Sequence, residues 1–546
     1  MFVVAVFIGL YSYSIFFLGI FGLLTELNIQ ILTTIWLALI LLIERIVLYK
    51  FIVKVKNFRF VLIKKYTVIY LLIFLITLLA IVNLIGALGP EIAFDALWYH
   101  LTLPKLYLQH GAIYHIPGGL LYYSDMPKLG EMFYVGALSF GNVIFAKLVH
   151  YIFGILISII LYKFSRKFFN QSIAFVIVVI FYSNLVVDWE SITAYIDLIR
   201  TFFEFLSLWG LLNWYESQKS SWLVICAVMM GFAITTKLLA IGSFLILLAL
   251  IIAISVLKRK SLKELLLESL VFAICTFIIP LPWFIFSYIH TGNPVYPFFT
   301  KTYEITASSP NPINLFIDLW DLFIHSADPI SPVYLVFLPL LFVYYGKMRK
   351  EIKIIIWYCG LSLILWYFTP RTGGGRFIIP YLPAFSLISG AIYSEIRKRI
   401  DTESKYLANL LFIVIIFVAF ISIGYRGVAN KRYIPVILGK ETKQEFLANN
   451  LNFHFGDFYD IDGYFAQHIK QNDMVLLFGF HNLYYIDFPF IDESWANKGD
   501  LFNYVAVQNT KLPSRFRDWH LVYSNDKTMV QLYRAPKGVC QKICRY

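Results

Sequence analysis

Apolar residues in this chain do not alternate with a helical or strand period. They gather into uninterrupted runs. Thirteen such runs fall at residues 1–24, 29–49, 67–89, 143–162, 171–187, 197–214, 221–236, 238–257, 268–289, 331–346, 352–369, 377–393 and 406–423. Most approach the roughly twenty residues needed to cross about 30 Å of hydrocarbon. In lipid such a run is helical, because every backbone N–H and C=O needs an internal partner. The pattern predicts an α-helical polytopic membrane protein with about 13 transmembrane helices. The first run lacks a basic start and a small-residue cleavage site, so it reads as a retained span rather than a signal peptide.

After residue 423 the pattern changes. Residues 441–451 and 459–470 read as short helices, and 474–478, 521–523 and 529–533 as strands. About 120 residues can bury a modest core. A small C-terminal extracytoplasmic α/β domain is therefore expected over 424–546. Residues 1–66 would form two additional N-terminal helices and a basic loop, and 67–423 the main transmembrane module.

Composition agrees: 59% of residues are hydrophobic and 14% charged, against roughly 25% charged in soluble domains. The net charge of +13 does not point to nucleic acid, because Lys and Arg cluster in short loops after every second run. Examples are Lys54, Lys56 and Arg59, then Lys163, Arg166 and Lys167, then Lys258, Arg259 and Lys260, then Lys347, Arg349 and Lys350, and finally Arg397, Lys398 and Arg399. Under the positive-inside rule all are cytoplasmic, and so is the N-terminus. The loops at 91–128, 188–196, 290–330 and 370–376 then lie outside with the C-terminal domain. A plasma (inner) membrane location is expected. No Walker-type glycine loop occurs, which argues against ATP-driven transport. Cys226, Cys275 and Cys359 lie in apolar runs as packing residues. Cys540 and Cys544 are placed to form a disulfide if their end is extracytoplasmic.

The candidate chemistry sits in the outer loops. The loop 91–128 carries Glu91, Asp95, Tyr99, His100, Lys105, Asp125 and Lys128 among aromatics, followed by Glu131. Such a mixture at a membrane surface suits a lipid-anchored polar head group, although a solvated loop has the same composition.

The order of motifs resembles the GT-C glycosyltransferases, and most closely family 39, which includes protein O-mannosyltransferases and lipid A aminoarabinose transferases. Asp95, Tyr99, Gly111, Pro127 and Glu131 stand at matching places. Ala194-Tyr195-Ile196-Asp197 resembles the family's second outer loop, and Gly231 to Thr236-Lys237 its Gly…Thr-Lys segment. Gly375-Arg376-Phe377 with Pro380 and Pro383 resembles its G-R-Y-hydrophobic-P stretch. The likeness spans roughly residues 67–394. This chain departs from the family at Ala96, where Glu is common, and at Met126-Pro127-Lys128 in place of Pro-Pro-Leu. Two spans also precede the usual first one.

The resemblance implies an inverting transferase that takes a sugar from a polyprenyl phosphate and passes it to a hydroxyl of a glycan, lipid or protein. Asp95 is then the general base. Arg376, Arg371 and Lys237 are candidates to hold the donor phosphate, with snorkelling at a helix end as the alternative for each. Tyr99, His100, Glu131 and Asp197 are candidate substrate contacts. Glu131 also reads as an ordering residue or second acid, and Asp197 as a helix cap. His100, His115 and His150 do not form a metal site by spacing, and no cofactor is required. A divalent cation between Asp95 and His100 stays open. A transporter or flippase of lipid-linked saccharides, or a saccharide polymerase, are the alternatives. Ionisable residues crowding one face of the membrane favour the enzyme over a transporter.

Overall fold

The computed structural model describes residues 1–56, 66–300, 312–324, 329–368, 374–497, 499–536 and 541–542. Arg371, Cys540 and Cys544 lie outside the described residues.

Each of the thirteen apolar runs falls on a helix. Among the described residues eight helices are long and apolar enough to cross a membrane. A ninth span is possible if Leu262–Phe277 and Leu281–Thr291, bent by 61°, are taken together. Three further runs coincide with shorter apolar helices, Gln171–Tyr182, Ser220–Thr236 and Val333–Lys347. The last is the helix Asp197–Ser217, which carries Asp197, Arg200 and Glu204 among its apolar residues. It is the most enclosed long helix, with all three charged side chains buried. Gly210 lets it approach Ser220–Thr236 closely: a Cβ there would stand 3.0 Å from the Cys226 Cα. Small residues let backbones meet in this way where lipid gives no hydrophobic drive. The helix Thr402–Asn430 runs seven residues past the expected end of its apolar run.

The C-terminal part is a five-stranded sheet. Its order is Phe490–Asp492, Val475–Phe478, Tyr504–Gln508, Val530–Arg534 and His520–Asn525. The first three strands are parallel, and the last two join antiparallel. Strand alternation sends side chains to two faces. Leu476, Phe478, Val505 and Val507 pack on Phe516 and Trp519. On the other face Val475, Leu477, Tyr504 and Ala506 share a core with Tyr99, Leu103 and Tyr107 of the first outer loop. One face of the sheet is thus completed by the membrane module.

Polar contacts reinforce that seat. Lys105 Nζ donates to the Tyr484 and Ile486 carbonyls at 2.7 Å each and to Asp487 at 2.6 Å. The Tyr485 hydroxyl donates to the Glu91 carbonyl at 2.8 Å. His481 lies against Trp98, with ring centroids 4.4 Å apart. Gly118 has φ +94°, and a Cβ there would meet the Ser494 carbonyl.

The helix expected over 459–470 is confined to Tyr464–His468. Gly463 at φ +75° precedes it, and the Asp460 and Asp462 carboxylates accept from the Ala466 and Tyr464 amides. The strands expected near 474–478, 521–523 and 529–533 are present, and Phe490–Asp492, Leu501–Phe502, Tyr504–Gln508 and Gln541–Lys542 are additional.

Candidate active site

The first outer loop is a set of short helical turns rather than extended chain. Asp95 precedes the wide turn Ala96–His100. The helix Thr102–His110 ends at Gly111, whose φ of +74° closes it in the left-handed region where glycine carries no Cβ penalty. The chain then returns through Tyr122–Asp125 into Leu129–Leu138, with Glu131 in the first turn.

Buried Glu91 ties this loop to the second one. Its Oε1 accepts from the Ile92 and Ala93 amides at 2.9 Å each, and its Oε2 from the Ala194 amide at 2.6 Å. The Tyr134 hydroxyl donates to the Tyr195 carbonyl. The Tyr195 hydroxyl in turn accepts from the Asp95 amide at 3.2 Å. These bonds fix Asp95 above the start of the helix Asp197–Ser217.

Four charged residues meet there. Arg376 Nη1 donates to Asp95 Oδ2 at 2.6 Å. Arg376 Nε stands 3.7 Å from Asp197 Oδ2, too long for a hydrogen bond, and neither atom has a hydrogen-bond partner. Lys237 Nζ donates to Asp197 Oδ1 at 2.7 Å. The guanidinium also lies over the Tyr195 ring, 4.9 Å from its centroid. The Tyr99 hydroxyl reaches Asp95 Oδ2 at 3.4 Å, and burial above all raises the pKa of that phenol well above its ordinary value. Two cations and two carboxylates therefore balance, with Arg376 shared between both acids. Asp197 does not cap its helix: it is the first helical residue, and no side-chain cap bond forms.

A second pair faces the same space. His100 Nδ1 and Glu131 Oε1 are 2.8 Å apart, and both residues are buried. Lys128 donates to the Ser124 and Met126 carbonyls at 2.6 Å each. Its burial pulls the ammonium down to about 7, against the opposing pull of Glu131 and Asp125.

A cavity of about 120 Å³ joins the two groups. Its lining includes Tyr99, His100, Lys128, Glu131, Lys237 and Arg376. Leu238, Leu239, Phe298 and Phe377 also line it, and the same four line an adjoining apolar groove of about 340 Å³. Of the sequence candidates, Tyr99, His100, Glu131, Lys237 and Arg376 line the cavity. Asp95 and Asp197 hold its cations. Arg371 is outside the described residues.

Sequence reading missed Lys128, Tyr123 and the apolar wall as site components. A lysine opening an apolar helix was the available signal for Lys128. Among the described residues no three His, Cys, Asp or Glu side chains cluster as a metal site.

The arrangement is a helical membrane fold in which an outer loop sets charged residues in a cavity beside an apolar groove, and its fold is similar to those of solved membrane glycosyltransferases. A family profile described as dolichyl-phosphate-mannose-protein mannosyltransferase matches residues 135–285. The crystal structure of ArnT from Cupriavidus metallidurans superposes with a TM-score of 0.55 at 12% identity, covering 84% of this chain and 97% of that one. The same protein bound to undecaprenyl phosphate gives 0.55 at 11% identity, covering 85% and 98%. The apo oligosaccharyltransferase from Archaeoglobus fulgidus gives 0.51 at 12% identity, covering 81% of this chain and 70% of that one. No curated protein sequence matches the chain.

Proposed function

We propose that this protein is an inverting glycosyltransferase that moves a sugar from a polyprenyl phosphate to a hydroxyl of an envelope glycan, lipid or protein. The observation that carries the reading is the junction of charge and grease. The cavity holding Arg376 and Lys237 opens onto the 340 Å³ groove through four shared apolar residues. A donor with an anionic phosphate between a sugar and an isoprenoid tail has this polarity. Undecaprenyl phosphate bound to ArnT is a ligand of the same class. In this reading the work takes place on the extracytoplasmic side of the plasma (inner) membrane, with the N-terminus inside, the orientation that the positive-inside rule favours for the basic loops.

Arg376 is held by Asp95 and Asp197. An arriving phosphate competes for the guanidinium and for Lys237 with charge-assisted bonds. Drawing Arg376 toward the phosphate frees Asp95. The acceptor hydroxyl attacks the anomeric carbon and its proton passes to Asp95. The carbon–oxygen bond to phosphate breaks, and its electron pair stays on the phosphate oxygen, where Arg376 and Lys237 stabilise the charge. A single displacement inverts the anomeric centre. The two cations supply the positive charge at the leaving group, so turnover should persist in EDTA.

The experiment is transfer of labelled sugar by the purified protein from an undecaprenyl-phosphate donor, beside a nucleotide-sugar donor and an EDTA-treated sample. Turnover of the lipid donor alone supports the reading. Turnover of the nucleotide sugar alone overturns it.

A further inference from the structure

We infer that His100 and Glu131 form the subsite that reads the hydroxyls of the transferred sugar. The inference rests on the donor reading above and specifies its third part.

The lipid and phosphate have their places in the groove and at the two cations. The rest of the cavity lining, which includes His100, Glu131, Tyr123 and Lys128, is not shared with the groove. His100 is 1% exposed and Glu131 4%. They bond to each other through one atom each, and each keeps a second polar atom with no partner, His100 Nε2 and Glu131 Oε2. Buried polar side chains are overwhelmingly hydrogen-bonded, so two orphaned atoms on residues that line one cavity call for an explanation. A purely structural pair has no use for a cavity beside it. A ligand that supplies both missing bonds does.

The chemistry of these atoms selects the ligand. A carboxylate oxygen only accepts, so Oε2 asks for a donor. With Nδ1–H turned to Glu131, His100 Nε2 also accepts. Neighbouring sugar hydroxyls satisfy both atoms at once.

The test is binding, measured in lipid nanodiscs for the full-length wild type, Glu131→Gln and His100→Gln. The ligands are undecaprenyl phosphate and the same lipid phosphate carrying glucose, mannose, galactose or their monodeoxy forms. Thermal stability checks that each variant is folded. In the wild type at least one hexose should tighten binding over bare undecaprenyl phosphate by about 10- to 100-fold. Removing one hydroxyl should abolish most of that gain. Both variants should hold the bare lipid phosphate within about threefold of wild type and lose the gain from the sugar. If the variants keep the gain, or if the wild type binds bare and sugar-bearing lipids alike, the subsite is refuted while the donor reading stands. If no lipid phosphate binds, both fall together.

Discussion

Two polar clusters lie inside this helical bundle, and they differ in how completely they are paired. One surrounds Asp188 and Lys147. Both Asp188 oxygens accept, from Asn83 at 2.7 Å and Ser422 at 2.6 Å. Lys147 spends its three protons on the Gly86, Gly89 and Pro90 carbonyls at 2.9, 2.9 and 3.1 Å. Tyr433 covers its ammonium. The other surrounds Arg376. There Arg376 Nε, Asp197 Oδ2, His100 Nε2 and Glu131 Oε2 all lack hydrogen bonds, and a cavity reaches His100, Glu131 and Arg376. Burying charge is costly in both places. In the first cluster the fold satisfies both charged groups, and of the groups named only Asn83 Oδ1 lacks a bond. The second leaves its charged groups short of bonds, beside a cavity. Incomplete pairing of the ions, rather than burial of charge, distinguishes the candidate active site.

The sharpest way to break the comparison is to neutralise one acid in each cluster. Asp95→Asn keeps the size and accepts hydrogen bonds but takes no proton at neutral pH. Turnover of an undecaprenyl-phosphate sugar should fall by about 10²–10⁴ with thermal stability nearly unchanged. Asp188→Asn should do the reverse, lowering stability and leaving turnover of the folded fraction near normal. Arg376→Ala should weaken donor binding as well as turnover. Near-normal turnover by Asp95→Asn would show that the Asp95–Arg376 pair is only structural.

Lys147→Met should come next in size. It strands the buried Gly89 and Pro90 carbonyls just past the helix Thr67–Ala87, while the Gly86 carbonyl keeps the Gly89 amide, at a combined cost of about 2–3 kcal/mol. Thermal unfolding in detergent measures this, and donor binding by the surviving fold should not change. A loss of donor binding without a loss of stability would place Lys147 in the site and erase the contrast.

The four charges around Arg376 were legible as candidates because residue type, sidedness and motif order survive in one dimension. Their pairing was not. Arg376 and Asp95 are 281 positions apart, and nothing local to either says that the cation is shared with Asp197. The sequence reading accordingly treated Arg376 and Lys237 as free to meet phosphate, whereas the fold holds both on carboxylates. Asp197 shows the same limit. An acid at a helix start has a ready local role as a cap, and only the position of Lys237 reveals its real partner. In the sheet, Tyr504–Gln508 is buried throughout, and unlike the equally buried Val475–Phe478 it lacks an unbroken run of large apolar residues, so it went unnoticed. A strand covered on both faces has no alternation to find. The shared core with Tyr99, Leu103 and Tyr107 was invisible for a related reason, since an apolar face does not name its partner.

That shared core makes the seat of the C-terminal domain testable. Lys105 gives all its protons across the junction, and burial foremost lowers its pKa despite Asp487. Lys105→Met should leave the Tyr484 and Ile486 carbonyls without this donor and cost about 1–2 kcal/mol. Hydrogen exchange should speed up at the Tyr484 amide, which donates to the Leu97 carbonyl at 3.3 Å. Unchanged protection there would mean that the apolar contact alone holds the domain.

The smallest effect is expected at Asp492, on the sheet strand far from the charge clusters in sequence. It is 3% exposed, and burial, outweighing its bonds to Ser494, raises its pKa from 3.8 to about 6. A carboxyl whose folded pKa is raised resists ionisation in the native state. Its stabilising contribution is therefore complete below pH 3.8 and fades as pH rises through about 6, since the unfolded chain releases the proton first. A shift of roughly two units corresponds to about 3 kcal/mol. Asn in its place escapes the ionisation cost, but its amide oxygen makes a weaker bond to the Ser494 amide than the carboxylate does. The net gain for Asp492→Asn should be about 1 kcal/mol at pH 7.5 and nil at pH 4. Thermal unfolding of both proteins across pH 4–8 measures it. A wild type whose stability does not decline relative to the variant between pH 4 and 7 would mean that water or a cation reaches Asp492, and that this face of the sheet is less tightly closed than the packing around it implies.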